Sequence, residues 1–196
     1  MLSKYSYWLF KGNEGLNKKA INKIFKIFKK GRIEEGVIGK DNNIDKGYRD
    51  SDIIFSNESE LYDIVCPYIY TANEKANWNV DIMWNEAMQF TIYKKNQHYD
   101  WHVDNLVEPY GDLAHPDLRG KVRKLSCCIS LTDPKKYEGG DFYFSFGKDI
   151  VPYKIPEFKQ QGSVLIFPSY VWHKVSPITK GTRYSLVNWA IGAPWK

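Results

Sequence analysis

Residues 181–189 have the sequence GTRYSLVNW, in which polar and apolar side chains alternate. Side chains two apart on a strand point to the same side of a sheet, so Arg183 shares one face with Ser185, Val187 and Trp189. A buried arginine is costly unless it meets an anion. The segment therefore predicts a strand whose inner face carries an anion-binding arginine. An internal pair between this arginine and an aspartate or glutamate is the alternative.

The chain after Asn73 has the same strand-like character throughout. Short apolar or alternating segments are separated by Gly, Pro, Asn or Asp turns, which is the pattern of many short antiparallel strands. The candidate strands are 78–83, 87–94, 98–103, 123–131, 141–146, 150–154, 163–167, 172–177 and 182–191. Together they predict an α+β fold, a jelly roll or double-stranded β-helix of antiparallel strands, with N-terminal helices packed on one sheet.

The first part of the chain predicts those helices, at about 15–30 and 58–73, with extended segments at 5–10, 34–39 and 51–56. In the second helix, Ser56 or Asn57 is the expected cap and Leu61, Ile64, Val65 and Tyr68 are expected on one face. Pro67 lies inside that pattern and predicts a kink or a break. We expect one domain, residues 1–196, with helical support at about 1–75 and a jelly-roll core at about 76–196.

Composition limits the class of protein. The 196 residues are 43% apolar and 26% charged, which is typical of a globular domain. The N-terminal apolar run is too short for a signal peptide or a membrane span. Cys66, Cys127 and Cys128 are not a disulfide framework, and Cys127 and Cys128 should face opposite sides of a strand. These features predict a soluble protein of the reduced cytoplasm, or of the host cytoplasm if the chain is viral.

The net charge of +5 is concentrated in the first predicted helix. Its apolar residues recur at helical spacing, so an amphipathic helix with a lysine-rich solvated face explains the charge most simply. Binding to an acidic surface is the alternative.

Residues 99–104 have the sequence YDWHVD, which predicts a metal site. His102 and Asp104 are two apart, so on a strand both can bind one cation. His173, at the start of a later strand, can complete a triad of two histidines and one carboxylate, which suits non-haem Fe(II) and leaves coordination positions open. His98 is expected to be packed or solvated, and His115 to lie on the surface.

The segment from Asn105 to Lys121 contains prolines and glycines at 109, 111, 116 and 120 and has little periodicity. A segment of this length is either a functional lid or disordered. The sequence leaves both interpretations open.

Several stretches in the same order resemble one family. They are MQFTIY at 88–93, YDWHVD at 99–104, RKLS at 123–126, YEGGDF at 137–142, and residues 167–189. The chain resembles the Fe(II)- and 2-oxoglutarate-dependent dioxygenases, in the prolyl-hydroxylase-like branch, over roughly residues 45–196. Collagen-type prolyl hydroxylases usually have lysine at the position of Arg183, so the chain is more similar to the oxygen-sensing, bacterial and viral members.

The resemblance implies a role for each matching residue. His102, Asp104 and His173 would be the catalytic iron ligands. Arg183 would bind the distal carboxylate of 2-oxoglutarate. The residues that would assist it are Tyr93 and Ser185, and those near the substrate would be Trp189, Tyr99 and Asp141. The implied cofactors are Fe(II), 2-oxoglutarate and O2, with ascorbate as a candidate reductant.

The implied reaction is hydroxylation of an unactivated C–H bond, with release of succinate and CO2. A prolyl residue of a protein or peptide is the first expectation for the substrate. A free amino acid, another small molecule or a nucleobase is the alternative within the enzyme class, and the nucleobase ranks lower. A non-catalytic jelly-roll module that keeps the metal as a structural clip is the alternative outside it. The sequence predicts no membrane partner and leaves the oligomeric state open.

Overall fold

The computed structural model describes residues 6–37, 44–105, 108–147 and 151–195. In chain order, the described strands and helices are β1 (Trp8–Phe10), α1 (Lys18–Phe28), β2 (Glu34–Glu35), β3 (Arg49–Asp50), β4 (Asp52–Ser56), α2 (Ser59–Lys75), β5 (Trp84–Asn85), β6 (Met88–Tyr93), β7 (His98–His102), β8 (Val122–Ser130), β9 (Tyr137–Gly139), β10 (Phe142–Ser145), β11 (Tyr153–Lys154), β12 (Val164–Pro168), β13 (Trp172–Val175), β14 (Ile178–Gly181) and β15 (Arg183–Gly192).

A larger sheet has the strand order β1-β12-β8-β15-β6-β4-β2, with β5 paired to β15. The neighbouring strands are antiparallel. The long strand β15 lies between β8 and β6, and its register places Arg183 opposite Tyr93 and Ser185 opposite Thr91. Three of the residues expected around an anion thus meet on one sheet because of this register.

A smaller sheet has the order β11-β10-β13-β7-β3, and β14 pairs separately with β9. In this sheet His173 on β13 is directly opposite His102 on β7. Antiparallel pairing brings opposite residues to within about 5.5 Å at their Cα atoms. The two histidines, 71 positions apart in the sequence, are therefore neighbours because of the strand order.

Two hydrophobic clusters hold the sheets together. One lies between the larger sheet and both helices, and it includes Ile24 and Phe28 of α1 and Leu61 and Val65 of α2. The other contains residues of both sheets, including Phe142, Phe144 and Phe167. Together they give mostly antiparallel sheets with two helices, in a jelly-roll-like arrangement. The helices do not form a separate N-terminal unit, because strands β1 to β4 belong to the same sheets.

The adjacent cysteines confirm the alternation along β8. Cys127 belongs to the cluster on the helix side, whereas Cys128 belongs to the cluster that includes residues of both sheets. Within the described part of the chain, no helix combines the length and the apolar character that crossing a membrane requires.

In the first half of the chain the predicted cap of α2 was wrong, and of the kink or break predicted at Pro67 the break is not observed. Helix α2 begins at Ser59, its N-cap residue is Glu58 with no side-chain cap, and Ser56 Oγ instead accepts from the Glu58 amide at 3.3 Å. The helix also runs without a break through Pro67. Its buried face of Leu61, Val65, Ile69 and Ala72 continues on both sides of the proline, so packing outweighs the lost hydrogen bond.

The strand predicted at 78–83 is also absent. Asn77 and Asn79 have positive φ, at 57° and 49°, which no extended strand adopts. The side chain of Asn73 bonds the backbone of Val80 at both N–H and C=O, at 3.0 and 2.9 Å. A capped turn after α2 therefore takes the place of a strand.

The strand predicted at 34–39 is observed only as β2, and its part from 38 onward lies outside the described residues. The strand predicted at 150–154 is observed as β11, and residue 150 likewise lies outside them. The short strands β3, β9 and β14 were not predicted.

Candidate active site

Two histidines and one aspartate converge where the end of β7 meets β13. His102 Nε2 lies 3.7 Å from Asp104 Oδ1, and His173 Nε2 lies 3.6 Å from Asp104 Oδ2. One donor atom from each residue lies within 4.8 Å of the other two. All three residues are buried: His102 is 7% exposed, Asp104 8% and His173 3%. The three donor atoms are close enough together to bind one metal ion, as the sequence predicted.

Backbone carbonyls orient the two imidazoles. His102 Nδ1 is 2.7 Å from the Asp100 carbonyl oxygen, and His173 Nδ1 is 2.9 Å from that of Val171. A carbonyl oxygen can only accept, so Nδ1 carries the proton in both rings. The lone pair of each Nε2 therefore points toward Asp104, as a metal ligand requires.

Burial, together with the nearby His173, lowers the pKa of His102 to about 3. Burial alone would raise the pKa of Asp104, but His173, His102 and Arg123 outweigh it and lower that pKa to about 2. The site thus presents a neutral imidazole and an ionised carboxylate near neutral pH. Two imidazole nitrogens and one carboxylate on one side of a cation fit a divalent metal such as Fe(II) and leave positions open for other ligands.

Asp104 lies two residues beyond the end of β7, and it is held by Ser126 of β8 and by Ser169, which follows β12. Its Oδ2 accepts a hydrogen bond from Ser126 Oγ at 2.7 Å, and Ser126 Oγ lies 2.9 Å from Ser169 Oγ. The Asp104 amide donates to the Ser169 carbonyl at 2.9 Å. Sequence analysis did not identify these two serines. Ser126 gave no distinctive signal, because β8 also contains the polar residues Arg123, Lys124 and Ser130.

The triad lies in a cavity of about 770 Å³, a size typical of small-molecule sites. Most of the residues singled out from the sequence line it. They are Tyr93, Tyr99, His102, Asp104, His173, Arg183, Ser185 and Trp189. Asn105, Tyr110, Leu113 and Ala114, from the segment considered as a lid, line it as well.

Arg183 is 3% exposed and lies on the cavity wall. Its Nη1 donates to Ser185 Oγ at 3.2 Å, and no carboxylate of the described residues pairs with it. The Cα of Gly140 makes room for this side chain, since an added Cβ would lie 3.0 Å from Arg183 Cδ. Because the alternative of an internal ion pair is not observed in this part of the chain, the guanidinium can bind an external anion.

Tyr93 lies against the same guanidinium, with Arg183 Cζ 5.4 Å from its ring centre. Burial raises the pKa of Tyr93, although Arg49 and Arg183 act in the opposite direction. The phenol therefore keeps its proton and can donate a hydrogen bond to an anion bound at Arg183.

The other singled-out residues have different surroundings. Tyr99 stacks on His102, with ring centres 3.5 Å apart. Asp141 does not line the cavity, and it forms ion pairs with Lys154 at 2.7 Å and Lys159 at 2.8 Å. His98 hydrogen-bonds to the Gly47 and Asn96 carbonyls, and the side chain of His115 is 70% exposed. Neither histidine takes part in the triad.

The ion pair between Arg123, which lines the cavity, and Glu86 was not predicted. Arg123 forms two hydrogen bonds of 2.7 Å with Glu86 and stacks 3.7 Å from the Trp189 ring. Tyr110 Oη donates to Glu86 Oε1 at 2.8 Å, which ties the segment after Asn105 to this pair. This hydrogen bond anchors the segment at Tyr110, whereas most of its described residues, Leu113 among them, are exposed.

Comparison with known proteins gives a consistent result. The family model of the 2OG-Fe(II) oxygenase superfamily matches residues 88–191. A PKHD-type hydroxylase of Synechococcus elongatus is 32% identical over 103 residues, which cover 53% of this chain and 42% of that protein. The match thus spans less than half the length of the curated relatives.

Two solved structures show the same fold. A Pseudomonas putida prolyl-4-hydroxylase superposes with a TM-score of 0.68 at 16% identity, covering 94% of this chain and 92% of that chain. A Trichoplax adhaerens prolyl hydroxylase in complex with a hypoxia-inducible-factor peptide fragment gives 0.65 at 17% identity, covering 95% and 83%. The matched residues 88–191 contain the whole triad and Arg183, and the chain belongs to the 2OG-Fe(II) oxygenase superfamily.

Proposed function

We propose that this protein is an Fe(II)- and 2-oxoglutarate-dependent dioxygenase that hydroxylates a prolyl residue of a protein or peptide. The observation that carries this proposal is the convergence of His102 Nε2, His173 Nε2 and Asp104 in one cavity with Arg183, which has no carboxylate partner among the described residues. A structural metal clip needs no such arginine, so this combination argues against a non-catalytic module.

His102, Asp104 and His173 would hold the iron through Nε2, a carboxylate oxygen and Nε2. Iron bound there with 2-oxoglutarate and O2 supplies the oxidising chemistry that hydroxylates an unactivated C–H bond, with succinate and CO2 as by-products. The part of the protein is to keep these donors deprotonated and on one side of the metal. The Nδ1 hydrogen bonds to the Asp100 and Val171 carbonyls support this role.

Arg183 would bind the distal carboxylate of 2-oxoglutarate, with Tyr93 and Ser185 assisting. A guanidinium can bind a carboxylate through two parallel hydrogen bonds. Ser185 Oγ accepts from Arg183 Nη1 and so fixes the plane of the guanidinium. The protonated phenol of Tyr93 would add a further donor.

The substrate would enter from the side of Trp189 and Tyr99, both of which line the cavity. The prolyl hydroxylases among the structural neighbours, one of them with a bound peptide, support a prolyl peptide as the first substrate to test. Asp141 is engaged by two lysines, so its role would be structural.

The proposal includes the detailed fold, the reductant and the cellular location. We interpret the facing sheets as a double-stranded β-helix within one domain that spans residues 1–196. Ascorbate would serve as a reductant. The protein would be located in the cytoplasm. Support for a reduced compartment comes from Cys66, Cys127 and Cys128, none of which is in a disulfide.

The test is succinate formation from 2-oxoglutarate by the Fe(II)-loaded protein, with and without an array of prolyl peptides. We expect peptide-stimulated turnover with oxygen added to proline, detected by mass spectrometry. His173→Ala should remove both metal binding and turnover, whereas His98→Ala should remove neither. Stimulation by free L-proline and by no peptide would contradict the peptide substrate. Inertness of the metal-loaded protein with both would contradict the enzyme.

A further inference from the structure

The cavity contains a second buried guanidinium that the proposed chemistry does not use. Arg49, on β3 at the edge of the smaller sheet, is 6% exposed and lines the cavity. Among residues 6–37, 44–105, 108–147 and 151–195, no carboxylate forms an ion pair with it. A buried charge without a counter-charge is costly, so this arginine calls for an anion in the cavity.

Neutral groups hold Arg49 in place. Its Nη1 donates to the Val37 carbonyl at 2.6 Å, its Nε to Ser51 Oγ at 3.2 Å and its Nη2 to Gln89 Oε1 at 3.3 Å. A guanidinium has five N–H groups, so two remain for a ligand, one on each terminal nitrogen. Gly36 packs closely on this side chain, since an added Cβ would lie 2.7 Å from Arg49 Nε.

The guanidinium is close to the metal ligands. Arg49 Cζ lies 4.6 Å from the ring centre of Tyr99, and that ring centre lies 3.5 Å from the ring centre of His102. These two distances limit the separation of the guanidinium carbon from the His102 ring centre to about 8 Å. An anion held by Arg49 would therefore lie beside the reacting position and not at the surface.

The charges in the cavity indicate whether the anion at Arg49 carries one negative charge or two. This step rests on the proposed function, in which Fe(II) and Arg183 carry three positive charges and Asp104 and the 2-oxoglutarate dianion carry three negative ones. Arg123 and Glu86 neutralise each other through two hydrogen bonds of 2.7 Å. Among the residues that the structure describes, no charge compensates the positive charge of Arg49. A monoanion such as a carboxylate balances it, whereas a phosphate dianion does not.

We propose that Arg49 binds a carboxylate of the primary substrate, so that the substrate is a carboxylate-bearing molecule. The carboxylate comes either from a free amino acid or from a peptide with an acidic group next to the reacting residue. Both sources present the same chemistry to Arg49, and they are separated below by experiment.

The carboxylate site can be detected without turnover. The protein is loaded with Mn(II) and N-oxalylglycine, which occupies Arg183, and the ¹⁹F line widths of difluoroacetate and difluoroacetamide are measured. Slow tumbling and nearby Mn(II) broaden the signal of a bound probe. We expect the acid to broaden about tenfold more than the neutral amide, because a hydrogen-bonded charge pair is worth about a factor of ten or more.

Arg49→Gln should remove this difference and leave the affinity for N-oxalylglycine unchanged. Arg32→Gln is the matched control, because Arg32 is exposed and does not line the cavity, and it should behave as the unaltered protein. If the ¹⁹F signal of difluoroacetate is still broadened in Arg49→Gln, the probe binds at the metal and the proposal is overturned. Equal broadening by acid and amide in the unaltered protein also overturns it.

A second variant decides the question if Arg49→Gln does not fold. Ser51→Asp places a carboxylate next to Arg49 Nε, where Ser51 Oγ now lies at 3.2 Å. The internal pair should raise the melting temperature and abolish broadening by difluoroacetate. Undiminished broadening in Ser51→Asp overturns the proposal. Failure of N-oxalylglycine to bind would contradict the proposed function instead, because its binding reports on the metal triad and Arg183 and not on Arg49.

Matched pairs of larger probes then identify the source. L-proline is compared with L-prolinamide, and N-acetyl-prolyl-aspartyl amide with its asparaginyl counterpart, in competition with difluoroacetate. If L-proline competes better than L-prolinamide and Arg49→Gln removes this preference, the carboxylate belongs to a free amino acid. If the aspartyl peptide competes better than the asparaginyl peptide and Arg49→Gln removes that preference, the carboxylate belongs to an acidic peptide. Equal competition within both pairs overturns the proposal. Stronger competition by inorganic phosphate than by acetate overturns the choice of a carboxylate.

Discussion

The orientation of His102 and His173 depends on one local geometry that occurs twice. In each case Nδ1 donates to the carbonyl two residues earlier, that of Asp100 for His102 and that of Val171 for His173. This bond fixes both the tautomer and the ring plane. The two Nε2 atoms proposed to bind the metal are thus aligned in its absence, which would reduce the entropy lost on binding.

The carboxylate of the triad depends on Ser126 in a similar way. Ser126→Ala removes the hydrogen bond of 2.7 Å to Asp104 Oδ2 and leaves that carboxylate free to rotate away from the histidines. We expect a loss of about tenfold to a hundredfold in metal affinity, as is usual when a partner of a metal ligand is removed. Competition of Fe(II) or Mn(II) with a chelator, followed by calorimetry, measures it.

Ser130→Ala is the control for that measurement. Ser130 is equally buried on the same strand. Its hydroxyl donates to the Lys159 carbonyl and not to a residue of the triad. Its metal affinity should equal that of the unaltered protein. An equal loss in both variants would show that β8 as a whole, and not the bond to Asp104, supports the site.

The residues of the candidate site differ in how far the sequence could predict them. His102, Asp104 and Arg183 could be identified because alternation along a strand fixes which side chains share a face. Arg49 could not, since it lies on the two-residue strand β3 and reaches the cavity only through the pairing of β3 with β7. Pairing between distant segments is not encoded in any local pattern.

At the scale of elements, helix α2 shows where local rules fail. A proline inside a helix removes one hydrogen bond and predicts a break, yet α2 continues from Ser59 to Lys75. Leu61, Val65, Ile69 and Ala72 recur at helical spacing and are fully buried against the larger sheet. Most strands of the second half were predictable because their apolar or alternating runs are bounded by turn residues, whereas β9 and β14 are too short to show a period.

The start of β10 is joined to β11 and to the following helical turn by the ion pairs of Asp141 with Lys154 and Lys159. Burial raises the pKa of Asp141, but the two lysines outweigh it and hold the pKa below its usual value of 3.8. The carboxylate therefore stabilises the fold fully above the unfolded-state pKa, and this contribution is lost as the pH falls through the folded-state pKa.

We expect Asp141→Asn to lower the free energy of unfolding by about 1 kcal/mol at pH 7. The difference from the unaltered protein should shrink as the pH falls from about 3.8 through the lower folded-state pKa, because Asp141 then becomes protonated and neutral in the folded protein too. Urea unfolding at several pH values measures it. Glu138→Gln is the control, since its pair with Lys180 is 65% and 76% exposed and should contribute little. A pH-independent difference for Asp141→Asn would assign its effect to packing.

At the scale of the whole molecule, the candidate site joins the two sheets. His102 and His173 belong to the smaller sheet, whereas Arg183, Tyr93 and Ser126 belong to the larger one. A metal bound with a dicarboxylate would therefore connect both sheets across the cavity. A ligand that binds only the folded state stabilises all of it, and at a hundredfold excess over its Kd it contributes about 2.7 kcal/mol.

Mn(II) and N-oxalylglycine together should raise the melting temperature by about 5–10 °C, since about 1 kcal/mol corresponds to about 2–4 °C for a chain of this size. A chelator should reverse the shift. In Arg183→Ala the part due to Mn(II) should remain and the part due to N-oxalylglycine should disappear, because in the proposed function the arginine binds the dicarboxylate and not the metal. In His173→Ala both parts should disappear. An undiminished response to N-oxalylglycine in Arg183→Ala would mean that another group binds its carboxylate, and Arg49, the other guanidinium of the described cavity wall without a carboxylate partner, would then be the residue to replace.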